Sequence, residues 1–283
     1  MTLPIIEAIA VSDEMERFTR RYGNQVEVQG IQWSYYRLGA GTPVLWLTGG
    51  LRRAAAASAF LESLSRHHTV IAPDYAPVPS IAEFMAAFDE ILRRESVDAV
   101  TLVGQSYGGM LAQAYLAHRP QAVTRLVLSS SGPVAYARRW VPAAKLGSLL
   151  ARVLPERLLK KLLAAGLARL ARPLPQQERA QMSEVIRILL HEKLSRADVV
   201  SHFAVAADVI RSGMVEPAAF RGWHGDVVVL SAENDPTQRD RDMPKYEWLF
   251  GRRPQLVSLG QLGHAAVLTA PDRYVELLEG ALE

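Results

Sequence analysis

The sequence predicts an α/β protein with a mostly parallel sheet of eight strands, helices on both faces and a helical insertion. Short apolar runs alternate with helical patterns over most of the chain, which is typical of right-handed strand–helix–strand crossovers. This alternation stops between residues 133 and 220 and then resumes. The chain has 283 residues, 49% of them hydrophobic, which suits one large domain with an insertion better than two independent domains.

The first part of the chain supplies six of the predicted strands. Polar and apolar side chains alternate on either side of Gly30, the pattern of a hairpin at a sheet edge. A compact apolar run before Gly49 indicates a buried strand, because strands covered on both faces lose the alternation. The six predicted strands are residues 25–29, 31–37, 43–48, His68–Pro73, 97–103 and Val123–Ser129.

Helical patterns separate these strands. An alanine-rich stretch predicts a helix over residues 54–66. Ser80 is a residue type that caps helix N-termini, and an amphipathic helix is predicted from it to residue 94. A further helix, Tyr107–His118, is predicted to stop before Pro120.

After the insertion, the sheet resumes with two more strands. Inside the insertion, prolines break leucine- and alanine-rich helical patterns, and no strand pattern is convincing. We therefore predict a core formed by residues 1–132 and 221–283, and a helical cap formed by residues 133–220. The closing elements are predicted at Asp226–Ser231 and 255–259 for strands, and at 244–250 and Pro271–Leu282 for helices.

The composition excludes several classes of site and partner. The chain contains no cysteine, so it has no disulfide, no cysteine-ligated zinc and no thiol nucleophile. A formal net charge of +3 and a charged fraction of 22% are ordinary and do not indicate nucleic acid as a partner. No apolar stretch has the length that spans a bilayer, and residues 1–10 lack the pattern of a signal peptide. We expect a cytoplasmic protein without metal or cofactor.

The strongest motif is Gly104-Gln105-Ser106-Tyr107-Gly108, between an apolar strand and a helix. A serine at such a turn adopts a strained backbone conformation and holds its hydroxyl clear of the sheet, and the flanking glycines let neighbouring backbone approach. The helix that follows favours developing negative charge at its N-terminus. Glycine-rich turns also contain serine by chance, but the flanking elements favour a nucleophile at Ser106.

With these elements, the chain resembles the α/β-hydrolase superfamily, in particular its capped serine esterases and lipases, over nearly its whole length outside the insertion. The resemblance implies Ser106 as nucleophile, followed along the chain by an acid and a histidine. The Gly-His pair at His264, after the last predicted strand, matches the histidine of the family. Asp235 ends a segment similar to the acid loop of the family, and Glu233 is the alternative. The other histidines, including His202 of the insertion, fit packing or solvation better.

The resemblance also implies an oxyanion hole built from the backbone N–H groups of Tyr107 and Gly50. Many relatives have a histidine where this chain has Thr48, but a backbone donor tolerates that change. Many relatives have a glycine-rich loop where this chain has the short link at residues 75–79. In this link the chain is similar to a group of hydrolase-like proteins that includes maspardin. For that group, the resemblance implies a fold but no substrate. The residues expected to bind substrate are Gly49, Leu51 and Trp140.

The insertion is basic as well as apolar. Residues 132–172 carry nine lysines and arginines and a single acid, Glu156. One interpretation is a lid that approaches anionic ligands or an anionic lipid surface. The other, favoured with respect to membranes, is a set of amphipathic helices with solvated basic faces and a leucine-rich core side. Either is compatible with a lid over an apolar acyl pocket. The basic residues are Arg138, Arg139, Lys145, Arg152, Arg157, Lys160, Lys161, Arg169 and Arg172.

The expected activity is ester hydrolysis by acyl transfer, in which Ser106 attacks a carbonyl, His264 moves the proton and water cleaves the acyl-enzyme. Thioester, lactone and carbon–carbon bond hydrolysis use the same residues and stay open, as does a non-catalytic binding or adaptor protein. The serine disfavours epoxide hydrolysis, for which this family uses an aspartate. The expected partner is a small ester-like molecule with an apolar acyl part. A homodimer stays open, and nucleic acid is not expected because the aromatic residues of the basic stretch do not interleave with its charges.

Overall fold

A computed structural model describes residues 4–238 and 242–282. Within these residues, eight strands form one sheet, as the sequence predicts. The strands are β1 Gly23–Val28, β2 Ile31–Leu38, β3 Thr42–Leu47, β4 His68–Pro73, β5 Val100–Gln105, β6 Val123–Ser129, β7 Asp226–Ser231 and β8 Gln255–Ser258.

The sheet is mostly parallel, which confirms the predicted fold class. Its strand order is β1-β2-β4-β3-β5-β6-β7-β8, with β2 antiparallel to both of its neighbours and all later pairs parallel. The ends of the central strands are level, because Gly104 of β5 is opposite Leu47 of β3 and Leu128 of β6. The loops that follow these strands therefore lie along one edge, where α/β sheets build their binding sites.

Helices lie on both faces of this sheet. Short 3₁₀ turns occur at Ala54–Ala57, Pro120–Ala122 and Val134–Trp140, and a π-helical turn occurs at Leu189–Lys193. The helices of the described residues are α1 Pro4–Tyr22, α2 Ser58–Leu64, α3 Ile81–Arg94, α4 Tyr107–His118, α5 Val141–Val153, α6 Glu156–Leu170, α7 Gln176–Ile188, α8 Arg196–Ser212, α9 Pro217–Phe220, α10 Met243–Phe250, α11 Ala266–Thr269 and α12 Pro271–Leu282.

The central strands divide their side chains between two hydrophobic cores, one on each face. On β3, Leu45 and Leu47 belong to one core, and Val44 and Trp46 belong to the other. This division follows from the two-residue period of a strand, and burial on both faces explains why β3 lacks polar alternation. Helices α3 and α4 cover the first core, and α1, α2 and α12 cover the second.

Several elements differ from the sequence prediction. The helix predicted over residues 54–66 is a 3₁₀ turn, Ala54–Ala57, followed by α2, and the short helix α11 is also unpredicted. The unpredicted helix α1 precedes β1 and packs Met15 and Phe18 into the second core. Strand β5 begins at Val100, three residues later than predicted, because Ser96 has a φ of 55° and the Val97 N–H bonds back to α3. The expectation of no signal peptide concerns residues 1–10, of which residues 1–3 lie outside the described part of the chain.

Residues 134–220, all of which the structure describes, form helices and turns and add no strand to the sheet. Helix α5 packs against α8 through small residues, and a Cβ atom on Gly147 would lie 2.8 Å from the Phe203 ring. The expected leucine-rich core side is therefore wrong for α5, since Leu146 and Leu149 point into solvent. The assignment of residues 133–220 as a cap stays a prediction.

None of the described helices combines the length and the apolar character that crossing a bilayer requires. The cytoplasmic location stays a prediction.

Candidate active site

Ser106 lies at the sharp turn between β5 and α4. Its φ of 53° and ψ of −116° are strained for a residue with a side chain. The Ser106 N–H donates to the Ser129 carbonyl at 2.8 Å, which fixes the turn against β6. A Cβ atom on Gly104 would lie 2.6 Å from the Gly108 carbonyl oxygen, and one on Gly108 would overlap the Leu47 carbonyl. The turn therefore requires glycine at both positions.

The structure brings Ser106, His264 and Asp235 together in one hydrogen-bonded chain. Ser106 Oγ lies 3.0 Å from His264 Nε2. Nδ1 of the same ring lies 3.1 Å from each of the two carboxylate oxygens of Asp235. The Gln105 side-chain amide donates to the His264 carbonyl at 3.1 Å and so ties the histidine loop to the end of β5.

Asp235 is buried and remains ionised at neutral pH. Burial raises the pKa of its carboxyl, but hydrogen bonds from His264 and Thr237 outweigh burial and lower the pKa to about 2. The alternative acid, Glu233, is exposed and accepts a hydrogen bond from the Gln261 side chain at 2.6 Å. Geometry therefore favours Asp235 as the partner of the histidine.

Thr237 is a member of this cluster that the sequence analysis misses. Its hydroxyl donates to Asp235 Oδ1 at 2.7 Å and lies 3.0 Å from His264 Nδ1. Its backbone N–H also donates to Asp235 Oδ1 at 2.7 Å. The sequence signal for Thr237 is its position two residues after Asp235, because an aspartate commonly accepts a hydrogen bond from the backbone N–H two residues later in a turn.

The two expected oxyanion donors border the same cavity as Ser106. Tyr107 is the first residue of α4, and the first N–H groups of a helix have no intrahelical acceptor. Gly50 lies in the loop after β3 and lines the same cavity. Their role as donors stays a prediction.

A family model described as the alpha/beta hydrolase fold matches residues 42–271. This chain belongs to that family. The matched segment runs from the start of β3 to the start of α12 and contains every member of the Ser106 cluster. The N-terminal helix and the edge hairpin lie outside it.

Two curated relatives are named as hydrolases. The 2-hydroxy-6-oxo-2,4-heptadienoate hydrolase of Pseudomonas putida is 32% identical over 135 residues, which are 43% of this chain and 49% of the relative. The 2-hydroxymuconate semialdehyde hydrolase of a Pseudomonas species is 28% identical over 127 residues, 40% of this chain and 45% of the relative. The chain thus spans about half the length of the curated relatives it matches.

The solved structure of Cfl2 from Burkholderia cenocepacia shares the fold of this chain. It superimposes with a TM-score of 0.73 and 18% identity over 92% of this chain and 95% of that chain.

The loop after β3 is held in place by two hydrogen bonds. The Arg52 N–H donates to the Gly49 carbonyl at 3.0 Å and closes a turn, in which Arg52 has a φ of 64°. The Tyr75 hydroxyl donates to the Thr48 carbonyl at 2.7 Å. These two bonds hold the loop on both sides of Gly50.

Arg52, only 1% exposed, also connects this loop to α8. Its guanidinium donates to the Ala76 carbonyl at 2.8 Å and to Ser201 Oγ at 3.1 Å. Arg52 Nε and Arg53 Nη2 lie 3.4 Å and 2.9 Å from the same oxygen of Asp198. Breaking a buried ion pair typically costs about 3–5 kcal/mol, so this cluster fixes the loop firmly.

His202 lies beside the site rather than in a purely structural position. Its ring borders the cavity of Ser106, and a Cβ atom on Gly50 would lie 3.0 Å from His202 Cε1. Burial, and then the charge of Arg52, lower the pKa of His202 to about 3, so the ring is neutral at physiological pH. A neutral imidazole offers one donor and one acceptor.

Two cavities meet at Ser106 and His264. The first, about 360 Å³, is mainly apolar, and no lysine, arginine or carboxylate among the described residues lines it. The second, about 680 Å³, has Arg139, Lys245 and Asp242 in its lining, and Lys245 pairs with Asp242. The expected substrate residues divide between them, with Gly49 and Leu51 in the first cavity and Trp140 in the second.

Among the described residues, no group of three or more histidine or carboxylate side chains is arranged to hold a metal ion.

Proposed function

We propose that the protein is a serine hydrolase that cleaves a carboxylic ester, or a related acyl bond, through an acyl-enzyme. The supporting observation is the hydrogen-bonded chain from Ser106 through His264 to Asp235, with separations of 3.0 and 3.1 Å, at a strained strand-to-helix turn. A weak hydroxyl nucleophile becomes reactive when a base lies within hydrogen-bond reach and a third group orients that base.

The residues suggest the order of proton movements. Ser106 Oγ attacks the carbonyl carbon while His264 Nε2 accepts the hydroxyl proton. The tetrahedral intermediate collapses when His264 returns this proton to the leaving alcohol, which leaves an ester on Ser106. Water then gives a proton to His264, attacks the acyl carbon, and Ser106 leaves with that proton.

Asp235 holds the imidazole in the required tautomer. A carboxylate whose pKa is about 2 remains ionised at neutral pH and accepts the Nδ1–H of His264. The Nε2 lone pair then faces Ser106. Thr237 holds the carboxylate with two hydrogen bonds of 2.7 Å, so the aspartate is itself oriented.

The oxyanion that forms during attack requires donors that are already in place. We assign this role to the N–H groups of Tyr107 and Gly50, two residues that border the cavity together with Ser106. The buried Arg52 ion pair keeps the Gly50 loop in position. The field at the N-terminus of α4 adds to the stabilisation.

The two cavities suggest how an ester would bind. The apolar lining of the first cavity, which includes Leu167, Leu170 and Leu268, suits an uncharged acyl chain. The second cavity then takes the leaving group, and its lining by Arg139 and the Lys245–Asp242 pair suits a polar one.

The names of the curated relatives favour a second candidate, hydrolysis of a carbon–carbon bond in a dienoate. The same serine chemistry serves that reaction. An acidic substrate would direct its carboxylate toward Arg139 in the second cavity, because Lys245 already pairs with Asp242 and charged side chains are absent from the described lining of the first cavity.

The test is hydrolysis of p-nitrophenyl esters, from acetate to long-chain acyl groups, by wild type, Ser106→Ala and Ser131→Ala. Ser131 borders the second cavity beside Ser106 and serves as the matched control. We expect Ser106→Ala to lose roughly a thousandfold or more in rate, given the usual size of such losses, and Ser131→Ala to retain activity.

Equal activity of wild type and Ser106→Ala would exclude the proposed nucleophile. If the folded wild type is inert on esters yet labels at Ser106 with a fluorophosphonate, thioesters and the 2-hydroxy-6-oxo-dienoate become the next substrates. Absence of both activity and labelling would favour the binding or adaptor interpretation.

A further inference from the structure

Helix α5 exposes a continuous apolar stripe. Leu146, Leu149, Leu150 and Val153 are between 37% and 64% exposed. Their spacing of three, four and seven residues places them on one side of the helix. The opposite side packs against α8, so nothing among the described residues covers the stripe.

The exposed apolar residues are concentrated in one stretch of the sequence. Eight of the ten large hydrophobic side chains that are exposed in the described chain lie between residues 136 and 162. Scattered exposed residues need no explanation, but a cluster of this kind marks an interaction surface. We call these residues the apolar face, which comprises Tyr136, Trp140, Leu146, Leu149, Leu150, Val153, Leu158 and Leu162.

Unneutralised positive charge lies among the same residues. Of the nine basic side chains in residues 132–172, Arg138 pairs with Glu216 at 2.8 Å and Lys160 pairs with Glu156 at 2.8 Å. The remaining seven form no ion pair with any described residue. They are Arg139, Lys145, Arg152, Arg157, Lys161, Arg169 and Arg172.

We propose that α5 and α6 dock on the surface of an anionic lipid bilayer. The apolar face enters the boundary between headgroups and acyl chains, and the basic side chains bind lipid phosphates, as in amphipathic helices that lie in the membrane interface. The charge also argues against a second copy of this chain as the occupant, because two such faces would bring like charges together.

A third cavity connects this surface to the active site. It has a volume of about 350 Å³, and its lining extends from the exposed Leu162 past Leu167 to His202 and Gly50. Leu167, His202 and Gly50 also border the first cavity of the site. If the protein is a serine hydrolase as proposed, an apolar acyl chain in the bilayer has an apolar route to Ser106.

The test measures binding in a Ser106→Ala background, so that no lipid is cleaved and failure of the hydrolase proposal does not affect the result. The protein is sedimented with phosphatidylcholine vesicles, with or without about 30 mol% phosphatidylglycerol, in about 0.1 M and about 1 M NaCl. We expect binding only to the anionic vesicles, and we expect it to weaken at high salt.

Two variants locate the surface, and two matched variants serve as controls. We expect Lys161→Glu, which reverses one charge, to weaken binding about tenfold or more. We expect Leu149→Ser to weaken it several-fold. Arg66→Glu and Leu256→Ser change an exposed arginine and an exposed leucine outside the helical segment and should bind like the parent protein. Thermal unfolding confirms that all four are folded.

Equal sedimentation with neutral and anionic vesicles would overturn the proposal. A loss of binding in Arg66→Glu and Leu256→Ser equal to that in Lys161→Glu and Leu149→Ser would also overturn it. Sedimentation velocity supplies a separate outcome. A concentration-dependent dimer that Leu149→Ser abolishes would show that the apolar face joins two copies, and the lipid proposal would then be wrong.

Discussion

The imidazole ring of His202 stacks on the phenol ring of Tyr107, with ring centroids 4.2 Å apart and planes 24° from parallel. His202 comes from α8 and Tyr107 from the first position of α4, next to Ser106. Because His202 also lies against Gly50, one neutral ring contacts both residues proposed as oxyanion donors. We therefore expect the helical segment to affect the spacing of the proposed oxyanion hole.

This contact predicts a coupled pair of substitutions. In Gly50→Ala, the new Cβ atom would lie 3.0 Å from His202 Cε1, so the loop or the ring must shift. A misplaced donor stabilises the transition state less well, and we expect kcat for a short p-nitrophenyl ester to fall about tenfold with little change in KM. Removing the ring in Gly50→Ala/His202→Ala makes space and should restore part of that loss.

A double-mutant cycle provides the measurement, with kcat/KM determined for both single variants and the pair. Gly280→Ala is the matched control, because a Cβ atom there meets no neighbour within 4 Å. Losses that simply add in the double variant would show that His202 does not determine the position of Gly50.

Thr237 is predicted to act through Asp235. Thr237→Val keeps the shape of the side chain and the backbone N–H but removes the hydroxyl that donates to Asp235 at 2.7 Å. A hydrogen bond to a charged group is typically worth about 1.5–3 kcal/mol, so we expect kcat to fall about tenfold or more. The pKa of Asp235 should also rise, because one of the hydrogen bonds that lowers it is gone.

The control for this prediction is Thr237→Ser, which retains the hydroxyl. We expect near-normal kcat from it, and we expect the acid side of the kcat–pH profile to shift upward only in Thr237→Val. If serine and valine were equally slow, the methyl group and not the hydroxyl would be responsible.

Asp235 is predicted to stabilise the fold in a pH-dependent manner. Its pKa is about 2 in the folded protein and about 4 in an unfolded chain. A carboxyl whose pKa is lowered by folding contributes stability above its unfolded pKa and loses that stability as the pH falls through its folded pKa. The contribution is about 2 kcal/mol, present above pH of about 4 and lost toward pH of about 2.

We therefore expect Asp235→Asn to lower the free energy of unfolding at pH 7 by about 2 kcal/mol, with a smaller difference at lower pH. Urea unfolding of both proteins provides the measurement, at pH 7 and down to the lowest pH at which wild type refolds. Asp13→Asn changes an exposed carboxylate and is the control. A difference that stays constant with pH would assign the loss to packing rather than to charge.

Local sequence patterns predicted the strands and the main contacts of the site because each is encoded within a few residues. Ser106 sits in a five-residue motif between a strand and a helix, and His264 follows a glycine after the last strand. Parallel strands bring such loops to one edge of the sheet. The order of nucleophile and histidine along the chain, which the family shares, was therefore enough to pair Ser106 with His264. Their catalytic roles stay predictions.

Contacts made by the helical segment were not predictable in this way. His202 is 95 residues from the Tyr107 ring on which it stacks, and the buried Arg52 is met by Asp198 and Ser201 of α8. A helical pattern shows that a residue lies on an apolar side, but not which loop that side covers. The exposed stripe on α5 has the same origin, because Gly147 and its small neighbours, rather than the leucines, form the contact with α8.

The last prediction concerns which cavity binds the acyl chain of an ester and which binds its alcohol. Two tryptophan substitutions of similar size test it. Leu167 borders the first cavity and Met110 borders the second, and both are half-buried. Leu167→Trp fills space proposed for the acyl chain, so we expect kcat/KM for p-nitrophenyl octanoate to fall about tenfold relative to acetate. Met110→Trp should leave this ratio unchanged and instead slow esters with bulky alcohols. The opposite pattern would mean that an ester binds in the reverse orientation, with its acyl chain beside Arg139 and Lys245.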